Sequence, residues 1–358
     1  MKKFDEIFED KTKYGVKMPT SEYCESGANI IIDQGQDQVS GYTDKEEGIF
    51  CEVPAIIFGD HTRIVKYVDK PFFMGADGVK ILRSKLPDSN YKYLYYALKH
   101  AKIPNTGYNR HFKWLKEIQI KYPEKKQQKE IAYNLDCVCE IIEMRKRQYQ
   151  KLDELIKSRF VEMFGDPEAN PNGYPIKAVS KIAEYWNGLT YKPEDVSGNG
   201  TVVLRSSNIQ NMQLDFADTV RVSCKIGEKK YVQDNDILMC SRNGSAKLVG
   251  KVALIHNLQE PMSFGAFMMI IRSSYYPYLM TYFQLPAFRS QIKTGAATTI
   301  NQITVKMMDK IMMPIPDMNT VNKFADFVKQ VDKSKIAVQK SLEETQNLFD
   351  SLMQEYFG

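Results

Sequence analysis

The segment Gly244-Ser245-Ala246-Lys247-Leu248-Val249-Gly250-Lys251 is the nearest this chain comes to a phosphate-binding loop. It has five residues between the glycines where such a loop has four, and Val252 stands where the magnesium-binding Ser or Thr belongs. No GxGxxG occurs, so a Rossmann-type dinucleotide or methyl-donor pocket has no fingerprint. The Asn-Pro-Pro-aromatic tetrapeptide that would hold a target amine is also missing, and Asn170-Pro171-Asn172-Gly173 matches it only superficially. Metal-assisted cleavage needs carboxylates clustered around magnesium with a lysine close by. Asp88 with Glu124-Lys125-Lys126 can be forced into that pattern, but the latter opens a helix, where solvated charge is expected. The cysteines Cys24, Cys51, Cys137, Cys139, Cys224 and Cys240 form no CxxC pair, which argues against a zinc site and for reduced, mostly buried thiols.

More informative are loops that concentrate amide, hydroxyl and guanidinium groups. In the first third of the chain, Gln34, Gln36, Gln38 and Tyr42 follow an apolar run. His61, Thr62 and Arg63 turn directly after the Ile56 to Phe58 run, and Asn105, Tyr108, Asn109 and Arg110 form a third group. Counterparts lie further along: Arg205, Ser206 and Asn208; Ser241, Arg242, Asn243, Ser245 and Lys247; and Thr298, Thr299, Asn301 and Gln302. Asn and Gln match adenine edges in the major groove, Arg matches guanine, and Ser, Thr and Tyr serve phosphates. Asn and Gly also make ordinary turns. Three such loops at matching places in two halves shift the reading towards binding of DNA.

The elements that must carry these loops repeat. At an offset of 193 residues Pro123 falls on Pro316, Ile131-Ala132 on Phe324-Ala325, and Phe164-Gly165 on Phe357-Gly358. Positions 131, 135, 138, 142, 145, 149, 152, 156, 159 and 163, and the same positions 193 later, form apolar stripes that alternate steps of four and three. That period predicts two long helices pairing as an antiparallel coiled coil, the alternative being that each stripe docks on its own globular domain. Upstream of each helix, Phe73-Met74-Gly75-Ala76 resembles Ser263-Phe264-Gly265-Ala266. Strands are expected at Ala28 to Ile32, Val53 to Phe58 and Val79 to Leu82, and again at Thr201 to Leu204, Ile237 to Met239 and Met268 to Ile271. The fold class expected is α+β: two tandem α/β domains, 1–123 and 166–316, separated by helices 124–165 and 317–358, in a pseudo-two-fold repeat.

Composition adds bounds. The 358 residues are 43% hydrophobic and 26% charged, as in ordinary globular proteins, and exceed a single ordinary core. The net charge of +5 permits nucleic acid without arguing for it, and the basic excess falls on the two domains. The first ten residues meet Asp5 and Glu6 instead of an apolar run, and the longest apolar stretch, Ala266 to Ile271, falls far short of a bilayer span. A cytoplasmic chain without membrane contact is expected.

Taken in order, the duplicated plan, Ile56 to Arg63 with Pro71 to Gly78, Asn235 to Gly244 leading to Gly250-Lys251-Val252, and Thr298 to Gln302 upstream of Pro314-Ile315-Pro316 resemble the specificity subunit of type I restriction-modification systems. The resemblance covers essentially the whole chain. It departs from the usual Pro-Pro and Glu-Gln helix start, which here reads Tyr122-Pro123-Glu124-Lys125-Lys126-Gln127-Gln128 and Pro316-Asp317-Met318-Asn319-Thr320. The resemblance implies a non-catalytic chain whose two target recognition domains each read half of a bipartite site in double-stranded DNA. It implies two methyltransferase subunits along the helices, and restriction or motor subunits that can join. S-adenosylmethionine would belong to the methyltransferase partner, and ATP and magnesium to the restriction partner. The competing readings are a single-chain DNA methyltransferase or nuclease, and a scaffold that binds only protein.

Overall fold

The computed structural model describes residues 1–75, 77–107, 109–292 and 301–358. The chain divides into two compact units, one of Met1–Arg147 with Gln339–Gly358 and one of Gln148–Val338.

In the first unit, strands β1 (Phe8–Asp10), β2 (Asn29–Ile32), β3 (Gly41–Thr43), β4 (Ala55–Gly59), β5 (Val65–Val68), β6 (Phe72–Met74) and β7 (Val79–Ser84) build two sheets. One is antiparallel with order β1-β7-β4-β5. The other has order β3-β2-β6, with β2 and β6 parallel. All five residues of β4 are buried, as expected of a central strand covered on both faces. One face packs through Ile57, Ile81 and Val68 towards the smaller sheet. The other packs through Ile56, Phe58 and Leu82 on helix α1 (Tyr91–His100), which Asn90 caps by accepting the Tyr93 N–H at 3.0 Å.

Helix α2 (Lys125–Phe164) begins after Pro123, whose carbonyl accepts from Gln128 Nε2 at 2.8 Å. It ends at Gly165, which sits at φ +76°, the left-handed conformation that closes a helix without a Cβ clash. The second unit repeats the plan with β8 (Glu184–Asn187), β9 (Val196–Leu204), β10 (Arg221–Val222), β11 (Ile237–Cys240), β12 (Arg242–Asn243), β13 (Val252–Leu254), β14 (Met262–Phe264), β15 (Met268–Arg272) and β16 (Asn301–Gln302). Its four-stranded sheet runs β8-β15-β11-β13 and its three-stranded sheet β10-β9-β14, with β9 and β14 parallel. Strand for strand this is the order of the first unit. Helices α3 (Tyr276–Tyr282) and α4 (Met318–Phe357) follow, the latter capped by Asp317, which accepts from Thr320 N and Oγ1 at 2.9 and 2.8 Å. Those bonds hold the Asp317 carboxyl below its usual range.

Both long helices form as the heptad stripe requires, and within the second unit they run antiparallel: Lys335 Nζ meets Asp153 at 2.7 Å, while Phe160 meets Phe324 with ring centroids 5.7 Å apart. In the first unit, Asn134 donates to the Tyr356 hydroxyl at 3.2 Å, and Ile131, Leu135, Val138 and Ile142 share a core with Phe349 and Met353. The stripe also docks on the globular parts, since that core includes Tyr93 and Tyr96. Two details differ from the sequence reading. Lys335, a polar break in the stripe, is buried against Asp153 and the Tyr149 ring. At the C-terminal end of α2 the buried residues are Phe160 and Phe164, one place after the expected 159 and 163, because 3.6 residues per turn drift against a 3.5 period. The thiols also differ: Cys240 is buried, whereas Cys24 and Cys51 are exposed.

Candidate nucleic-acid interface

The second unit gathers its polar loops into one open concavity of about 1220 Å³, lined by Asn187, Thr190, Tyr191, Arg205, Ser206, Ser207, Asp218, Ser241, Arg242, Asn243, Phe267, Asn301 and Gln302 among others. Three elements place them. The loop after β9 carries Arg205 to Asn208, the loop after β11 carries Ser241 to Asn243, and residues 301–302 return alongside. The sequence suggested separate loops for the last two. Instead, β12 and β16 pair antiparallel, Arg242 opposite Gln302 and Asn243 opposite Asn301. Asn301 Nδ2 donates to the Gly244 carbonyl at 3.2 Å, and Asn243 Nδ2 reaches Ser206 Oγ at 3.2 Å, so all three segments are tied.

Beneath them, Ser241 is buried and its carbonyl accepts from Ile303 N at 2.7 Å. Burial also pushes the Cys240 thiol up, which leaves it neutral. On the rim, Lys230 holds the carbonyls of Asn187 and Gly188. A Cβ on Gly188 would lie 2.1 Å from the Phe264 carbonyl oxygen, so only glycine permits this approach.

Asn208 has a different role. It is fully buried, accepts from Arg205 N at 2.8 Å and donates to the carbonyls of Asp215 and Asp218 at 2.8 and 2.9 Å. Its amide is spent closing the loop that brings Asp218 within 2.7 Å of the Arg205 guanidinium. Asn208→Ala is expected to cost about 1–3 kcal/mol in urea denaturation, because two part-buried carbonyls and one N–H lose their partner. A change under about 0.5 kcal/mol would show that water replaces the amide. Ser245 and Lys247 are exposed beside the concavity, Ser245 N bonding to Asn243 Oδ1 at 3.0 Å. Thr298 and Thr299 lie outside the described residues.

In the first unit the candidate loops occupy the same topological places, after β2 and after β4, but most of their polar groups hold the loops to one another. Gln34 donates to the Asp77 carbonyl at 2.9 Å, accepts from His61 N at 3.1 Å, and its own carbonyl accepts from Thr62 Oγ1 at 2.7 Å. Gln38 donates to the Tyr67 carbonyl at 2.7 Å. Arg63, at φ +62°, donates to the Ile103 carbonyl at 3.4 Å. Asn105 accepts from Gly107 N at 3.2 Å, and Asn109 donates to the Thr106 carbonyl at 2.5 Å. Tyr42 is half-buried within β3 instead of standing in a loop. Gln36 and Arg110 are exposed, and Tyr108 lies outside the described residues. Asp77, bonded to Lys17 and facing Arg110, has its carboxyl held below the usual range mainly by Lys17.

Sequence reasoning missed Tyr191, Thr190 and Phe267. The first two lie in an unpatterned segment. Phe267 was masked by its apolar neighbours in Ala266 to Ile271, a run that reads as core. Among the described residues no group of three or more His, Cys, Asp or Glu side chains converges as a metal site, and no helix is long and apolar enough to cross a membrane.

A family model for the type I restriction modification DNA specificity domain matches residues 1–154 and 171–346. The chain is 29% identical over 178 residues to the EcoKI specificity subunit of Escherichia coli (strain K12), a match covering 46% of this chain and 38% of that protein. It is 29% identical over 183 residues to the StySPI specificity subunit of Salmonella potsdam, covering 48% and 39%. These matches therefore span about two fifths of the relatives' own length. In fold, the chain is similar to the type I restriction-modification S subunit from M. genitalium, with TM-score 0.58, 18% identity and coverage of 100% and 95%. A chain from a structure of type I R-M complex assembly matches at TM-score 0.53 and 15% identity, covering 99% and 95%.

Proposed function

The chain belongs to the type I restriction modification DNA specificity family, and from that premise we propose that it is a non-catalytic reader of a two-part site in double-stranded DNA, each unit reading one part. The observation that carries this reading is the concavity of the second unit, where Arg205, Ser206, Ser241, Arg242, Asn243, Asn301 and Gln302 converge from three tied segments. Such a surface offers both guanidinium and amide groups, the pairs that fit guanine and adenine edges. Equivalent loops stand at the same strand ends of the first unit, where Gln36, Gln38, Thr62, Asn105, Asn109 and Arg110 are exposed.

In this reading the long helices hold two methyltransferase subunits, and restriction or motor subunits join the same assembly. S-adenosylmethionine is bound by the methyltransferase, and ATP and magnesium by the restriction subunit. The relatives from Escherichia coli and Salmonella potsdam are named as specificity subunits of restriction enzymes, which supports this division of labour.

Titration of duplex DNA in complex with the methyltransferase tests the proposal. With about six phosphates neutralised, affinity is expected to fall about 10³-fold between 50 and 200 mM salt, and a specific duplex should outcompete a scrambled one. Binding that is independent of salt, or no DNA binding at all, would favour a protein-only scaffold.

A further inference from the structure

Phe267 is 58% exposed in the turn between β14 and β15. Its carbonyl accepts from Ser241 N at 2.9 Å and Arg242 N at 3.1 Å, which pins the turn to the start of β12. The next residue, Met268, already fills the core, so the ring cannot withdraw inward. Above it lies the Arg242 guanidinium, 5.1 Å from the ring centroid. Arg205, Arg221 and Arg272 in the same unit each face a carboxylate, whereas Arg242 has none among the described residues. A cation stacked on an exposed ring, unpaired and at the wall of the concavity, is poised to meet a ligand.

We propose that Arg242 and Phe267 act together on two neighbouring base pairs, a G·C pair beside a T·A pair. This rests on the DNA reading of the concavity given above. The guanidinium fork matches O6 and N7 of guanine with two parallel hydrogen bonds, and stacking on the ring holds its plane. The apolar feature that a major-groove edge offers to a phenyl ring is the thymine methyl. The 5.1 Å between the two groups exceeds one base step of ~3.4 Å and is less than two, so they address adjacent pairs. Among the described residues at the matching turn, the first unit lacks the pair. Taking Gly75-Ala76 as the counterpart of Gly265-Ala266, Asp77 stands in the place of Phe267 and is engaged by Lys17. Methyl reading therefore belongs to one half of the site.

The test starts from the site, found by methylation-sensitive sequencing of a genome that carries this chain with its methyltransferase. One half is expected to contain adjacent G·C and T·A pairs. In duplexes of that sequence, uracil in place of this thymine should weaken binding by the complex about four-fold, the worth of one buried methyl. Phe267→Ala should weaken binding to the thymine duplex similarly and bind both duplexes alike, while Arg242→Lys should lose about ten-fold and relax the choice of guanine. Phe267 is exposed, so circular dichroism should show both variants folded. Neither half having such adjacent pairs, or a thymine preference that survives Phe267→Ala, overturns the proposal. A complex that binds no DNA specifically overturns the DNA reading itself, a result distinguishable from either.

Discussion

A mixture of this chain, its methyltransferase subunit and S-adenosylmethionine is expected to methylate DNA at one two-part sequence, while neither protein does so sequence-specifically alone. The effect should be all-or-none in a tritiated methyl transfer assay. The chain carries no GxGxxG and no Asn-Pro-Pro-aromatic motif, and its one approach to a phosphate loop, Gly244 to Lys251, follows β12 and passes through a 3-10 turn at Ala246–Leu248 before Gly250. There Gly250, at φ +79°, abuts the Arg289 guanidinium, which donates to the Val249 carbonyl. The space beneath that loop is filled by the chain's own arginine. Sequence-specific methylation by the chain alone would sink the non-catalytic reading and raise that of a single-chain methyltransferase.

Phe160→Ala should lower the unfolding free energy by about 3–5 kcal/mol, read as a shift of the urea midpoint. Phe160 is fully buried where α2, α3 and α4 meet in the second unit. Its ring lies 4.9 Å from Phe164, 5.0 Å from Tyr278 and 5.7 Å from Phe324. Tyr278 is itself anchored by a hydrogen bond to the Pro314 carbonyl at 3.0 Å, so the cluster has little freedom to collapse into the void. The neighbouring Arg159 makes the contrast. It lies on the expected heptad stripe, yet its guanidinium rests over Phe327 and bridges Glu162 at 2.7 Å near the surface. Arg159→Ala should cost about 1 kcal/mol or less. Equal losses for the two substitutions would show that the 3.5-residue stripe, rather than the drifted one, marks the packed face.

The sequence by itself determined the architecture, because the signals that carry it are periodic or repeated. The 193-residue offset requires two copies of one plan, and the heptad steps from Ile131 onward require long helices, since apolar groups at that spacing have no other way to share a face. Family resemblance was legible for the same reason: order and duplication survive where individual loops diverge. The tertiary structure alone decided which polar residues are available. Asn208 and Arg242 look equally apt as base readers in sequence. Only the fold places one with its amide consumed by three backbone groups and the other stacked in the open on Phe267. Phe267 and Met268 are likewise indistinguishable as apolar residues, yet the turn exposes one and buries the other. A side chain's hydrogen-bond partners come from segments dozens of residues away, as Asn243 meets Ser206 and Gln34 meets Asp77. Local pattern carries no information on such distant pairings, whereas it carries nearly all of the information on a helix or strand that satisfies its own backbone.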